Sequence, residues 1–79
     1  LPAGTIATNI NRQLEEIGYK NLGVNARPNL VVLRRSEMPA VLVEVGFINN
    51  DQDNALLDSQ FDATARAIAD GIAGTLWTW

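Results

Sequence analysis

Neither cysteine nor histidine occurs among the 79 residues of this chain. Their absence removes two staples on which small domains commonly rely, disulfides and structural metal sites. A zinc site held wholly within the chain is not expected, because only carboxylates remain as strong ligands. Ser-His-Asp and Cys-His catalytic arrangements are excluded for the same reason. An apolar core must therefore hold the fold together. In so short a chain that core is thin, since only about 60% of the unfolded surface is buried at this size.

The length allows one domain at most. Apolar residues make up 47% of the chain, ordinary for a globular domain and too many for disorder. Six basic residues face nine acidic ones, a net charge of -3, which leaves no electrostatic footprint for nucleic acid. No apolar run exceeds that of Ala40 to Val43, which is stopped by Glu44. It falls far short of the roughly 20 residues a bilayer span requires, so no membrane span is expected. The opening Leu1-Pro2-Ala3, with neither Met nor a basic start, reads as a chain cut from something longer. The lack of Cys is compatible with an extracytoplasmic bacterial protein.

Hydrophobic spacing sets out the elements. Ile6, Ile10, Leu14 and Ile17 share one helical face, with Thr5 as N-cap and Gly18 as the left-handed residue that ends the helix. Residues 19–29 read as loop. Leu30 to Leu33 and Val41 to Ile48 read as buried strands, apolar on both faces. The connection Arg34 to Pro39 is too short for a parallel crossover, so the two strands are either antiparallel neighbours or lie apart in one sheet. Asn50 caps a short helix from Asp51 to about Leu57. Ser59 and Asp62 form an acidic capping box for a last helix, whose apolar stripe is Phe61, Ala65, Ile68, Ile72 and Leu76. Gly71 and Gly74 in that helix point to close backbone packing against the sheet. The expected fold class is α/β, in the order helix, strand, strand, short helix, helix. Two strands make a poor independent sheet, so the pattern reads as the C-terminal part of a larger mixed, mostly parallel sheet flanked by helices.

Glu44 breaks the pattern. Alternation puts Val41, Val43, Val45 and Phe47 on one face and Leu42, Glu44, Gly46 and Ile48 on the other. A carboxylate in such a strand is costly to bury without partners. Gly46, two residues on, leaves open space beside it, as a substrate or water requires. The residues alone leave open a functional carboxylate, a structural ion-pair partner of Arg34 or Arg35, or a carboxylate that emerges at the sheet edge. Arg34 is a weaker candidate for contacting a substrate carboxylate, against a salt bridge or a solvated end. Asn49 and Asn50 read first as caps. Asp51, Asp53 and Asp58 lack the glycine-bearing loop and distal Glu of a calcium site. Trp77 and Trp79 read as a helix end packed on the core, or a frayed terminus, rather than as a sugar-stacking pair.

The run Leu30-Val31-Val32-Leu33-Arg34, followed by Met38-Pro39-Ala40-Val41-Leu42-Val43-Glu44-Val45-Gly46-Phe47-Ile48-Asn49-Asn50, resembles the C-terminal signature of the zinc-dependent N-acetylmuramoyl-L-alanine amidases of type 3. The likeness is dense over residues 30–50 and elsewhere rests on the order of elements. It implies a peptidoglycan hydrolase that cuts the amide between N-acetylmuramic acid and L-alanine of the stem peptide. It further implies a cell-wall or secreted bacterial setting, with peptidoglycan as partner. In that family one zinc, held by two His and one Glu from the N-terminal half of the domain, supplies the water. A second Glu on the last strand acts as general base, and Glu44 matches that position. The metal-binding histidines have no counterpart here. The resemblance therefore implies that residues 1–79 are the C-terminal portion of a single amidase-like catalytic domain. Zinc, and the missing N-terminal half as a partner, would come from outside the chain, and the chain alone would be inactive. The competing readings are a non-catalytic cell-wall-binding module and a structural α/β fragment without metal.

Overall fold

The computed structural model describes residues 3–26, 29–35, 38–45 and 50–77. Its elements are α1 (Ala3–Glu16), α2 (Val31–Arg34), α3 (Asp51–Ser59) and α4 (Phe61–Trp77). Among the described residues there is no strand, and the α/β expectation is overturned.

The reason lies in where the backbone groups go. At the first expected strand, the N–H groups of Leu33 and Arg34 donate to the carbonyl of Leu30, and that of Arg35 to Val31, so the segment satisfies itself within one helical turn. The second expected strand has no regular structure from Val41 to Val45, and its last residues, Gly46 to Ile48, lie outside the described residues. Valine-rich composition favours a pleated surface only where neighbouring strands complete it. The expected alternation survives without the ladder: Val41, Val43 and Val45 are half-buried, Leu42 and Glu44 exposed.

Helix α1 follows its spacing. Ile10 and Leu14 are buried, with Ile6 and Ile17 packed beside them. The helix starts ahead of Thr5, which is not its cap. Its end is as expected. Gly18 adopts φ +108°, Tyr19 N–H reaches the Leu14 carbonyl at 3.1 Å, and Gly18 N–H reaches Glu15 at 3.1 Å. These two bonds are the pair that closes a helix through a left-handed glycine. Asn50 caps α3 as expected, its side-chain oxygen accepting from Asp53 N–H at 2.9 Å. The expected capping box of α4 does not form. Ser59 ends α3 instead, its hydroxyl donating to the Leu56 carbonyl.

Helices α1 and α4 pack antiparallel, and their seam departs from the expected stripe. Helix α4 turns Thr64, Ala67, Gly71 and Thr75 inward and leaves Phe61, Ile72 and Leu76 exposed. Small residues let the backbones approach: a Cβ on Gly71 would stand 2.6 Å from the Ile10 Cα. The close approach expected for Gly71 is real, but its partner is a helix, not a sheet. Gly74 meets nothing within 4 Å. Buried hydroxyls find local partners, which removes the cost of placing them there. Thr75 donates to the Gly71 carbonyl and accepts from the Asn9 amide at 2.7 Å. Thr64 donates to the Gln60 carbonyl, so the Tyr19 hydroxyl is the donor in the 2.8 Å bond between them. The core proper is Ile10, Leu14, Tyr19 and Ala67, with Val43, Val45, Leu56 and Ile68 packed against it.

Candidate functional site

An open groove of about 1180 Å³ runs between the inner end of α1, the loop from Tyr19 to Asn25, the Val41–Val45 segment and the start of α3. Ile10, Leu14 and Tyr19 form its floor, continuous with the core. Glu44 stands on its wall, with Val43 and Val45 on either side anchored against the core. Anchoring a carboxylate's two neighbours fixes where it emerges without burying the carboxylate itself.

The position differs from the shielded one expected of a carboxylate in a buried strand: Glu44 is exposed. Among the described residues it makes no ion pair with Arg34 or Arg35. Arg34 is exposed at the end of α2 and does not line the groove. Gly46 and Asn49 lie outside the described residues, as does Trp79. Asn50 lines the groove, although its side-chain oxygen is engaged in the α3 cap.

The groove wall holds polar residues that sequence spacing did not single out, notably Lys20, Asn25 and Gln52. They come from a loop and a separate helix. No local pattern joins them, and only the packing of α4 against both α1 and α3 brings them to one concavity. The turn that carries the loop is fixed locally: Gly23 adopts φ +93°, its N–H donates to the Asn21 side chain, and its carbonyl accepts from the Asn11 amide.

The donor set does not suit zinc. The sequence has no His or Cys, and no three acidic residues gather among the described ones. No helix is long and apolar enough to cross a membrane among the described residues.

Comparison with known proteins agrees with the resemblance read from residues 30–50 and extends it. The family described as N-acetylmuramoyl-L-alanine amidase matches residues 2–74. An endolysin of Bacillus phage SPP1 is 42% identical over 69 residues, covering 85% of this chain and 25% of the phage protein. A probable cell wall amidase LytH of Staphylococcus epidermidis is 30% identical over 70 residues, covering 86% of this chain and 24% of that protein. The chain thus spans about a quarter of the length of these curated relatives. No solved structure gives a significant match. With the family match running over almost all of its length, the chain belongs to the N-acetylmuramoyl-L-alanine amidase family.

Proposed function

We propose that residues 1–79 are the C-terminal portion of an amidase-like catalytic domain that hydrolyses the amide between N-acetylmuramic acid and L-alanine of peptidoglycan. The observation that carries this reading is the family match over residues 2–74, which includes Glu44 on the wall of the groove. The names of the relatives, a cell wall amidase and an endolysin, point to the same substrate and to a setting at the cell wall.

Glu44 is the general base. Its carboxylate takes a proton from water as the oxygen attacks the scissile carbonyl carbon. It then returns that proton to the amine nitrogen as the C–N bond breaks, giving a carboxylate on the sugar side and a free L-alanine amine. A positioned base of this kind contributes about 10²–10⁴-fold. Exposure on a groove wall suits this role, since both water and a polymeric substrate must reach the group. The zinc that the family implies finds no ligand set here, so no step is drawn through it; its ligands belong to other parts of the protein that carries this sequence. Arg34, the weaker candidate, is exposed and stands outside the groove, and no substrate contact is assigned to it.

The test is release of stem peptides from purified wall by the longer polypeptide that carries this sequence. Glu44→Gln loses about 10²–10⁴-fold in turnover while far-UV circular dichroism and thermal unfolding stay unchanged. Near-full turnover by Glu44→Gln removes the assignment. The second reading, a wall-binding module that does not cut, is favoured by the lack of a metal ligand set among the described residues. It predicts that the 79-residue chain alone co-sediments with insoluble wall and releases nothing.

A further inference from the structure

Among the described residues that line the groove, Lys20 is the one cation; the other charged groups there are Glu15, Glu44 and Asp53. Lys20 is exposed and makes no ion pair among the described residues. Its backbone is pinned on both sides. Before it, Tyr19 is buried and its hydroxyl donates to Thr64 at 2.8 Å. After it, the Asn21 side chain accepts from Gly23 N–H at 2.8 Å, and the Asn11 amide donates to the Gly23 carbonyl at 3.1 Å. A lysine on a pinned stem presents its ammonium to the groove from a fixed root.

The lining says which arm of a muramoyl peptide it suits. An apolar floor with a few placed polar groups is the usual make-up of a ligand site. Here the wall adds to that floor the exposed side-chain amides of Asn25 and Gln52, each of which offers donors and an acceptor to peptide groups. Tyr19 is the aromatic residue in the described lining, and it is buried, so no exposed ring is offered there for a sugar to stack on. A peptide joined to the sugar through its amine keeps its carboxyl groups free. In a groove whose remaining charges are carboxylates, such a group is repelled except at Lys20, which fixes the register of the peptide.

We propose that the groove takes the peptide arm of the substrate and that Lys20 pairs with a carboxylate of that arm, which makes Lys20 a specificity-determining residue for acidic stem peptides. This inference rests on the hydrolase reading and deepens it. Lys20 sets where and how tightly the peptide lies, while Glu44 moves the proton.

The test uses the longer polypeptide that carries this sequence and two soluble N-acetylmuramoyl-peptides that differ only in whether the peptide carboxyl groups are free or amidated. Lys20→Gln raises KM for the free-carboxylate substrate about fivefold with kcat nearly constant, the size of an exposed charge pair. Amidation raises KM of the unsubstituted protein by a similar factor, and Lys20→Gln adds nothing further on the amidated substrate. Lys20→Arg keeps the preference for the free carboxylate. The free stem peptide inhibits competitively, and the sugar without its peptide does not. If both substrates are cut and neither amidation nor Lys20→Gln changes KM, the pairing is overturned while the hydrolase reading stands. Competitive inhibition by the sugar alone overturns the assignment of the groove to the peptide arm. If neither substrate is cut, the hydrolase reading fails and this inference falls with it. Should Lys20→Gln fail to fold by circular dichroism, the amidated substrate on the unsubstituted protein decides the outcome.

Discussion

The segment from Leu30 to Val45 is more apolar than the α1–α4 pair, yet among the described residues the pair is regular and packed and most of the segment is not. The pair finds its partners within the chain. Its backbone bonds are internal to each helix, and its seam closes on Ile10, Leu14, Ala67 and Gly71. The Leu30–Val45 segment carries residues that favour a pleated sheet but has no ladder to join among the described residues. Its first part winds into a turn and its second part lays alternate valines on the core. A helix can be specified by its own period, whereas a strand is specified by its neighbours as well.

That contrast can be broken most severely at the seam. Gly71→Leu puts carbon where the Ile10 backbone already stands, and backbone cannot yield as a side-chain tip can. The helix pair then fails to close. Because a chain of this size has only a few kcal/mol of stability, its cooperative unfolding transition is lost in circular dichroism. Leu14→Ala removes packing from the same core and costs about 2 kcal/mol, read as a lowered urea midpoint. Tyr19→Phe takes one donor from the Thr64 hydroxyl, which keeps its own bond to the Gln60 carbonyl, and costs about 1 kcal/mol. In the other region, Leu42→Ser changes stability by less than about 0.5 kcal/mol, because Leu42 is already exposed. A large loss at Leu42 would mean that the segment is as tightly specified as the helices, and would erase the contrast.

The same division marks what the sequence makes legible. Ile6, Ile10, Leu14 and Ile17 announce the buried face of α1, and Gly18 its end, because both follow from local geometry. Asn50 announces α3 for the same reason. The inward face of α4 is illegible from periodicity, because its period marks the large apolar residues while the close crossing selects the small ones. Glu44 stands out as the one charge in an apolar run, and the family likeness names a role for it. Its exposure depends on how Val43 and Val45 seat on a core assembled from distant parts of the chain. Lys20, Asn25 and Gln52 carry no local signal at all, since they meet only across the groove.

The antiparallel closure of α1 on α4 has a consequence for biosynthesis. Asn9 reaches Thr75 across 66 positions of sequence, and Tyr19 reaches Thr64 across 45. A lone helix of 14 residues is marginal in water. While the ribosome is still adding the middle of this segment, the apolar side of α1 therefore lacks its partner helix. Only when α4 has cleared the exit tunnel can the two helices close, so this pairing cannot form as α1 itself emerges.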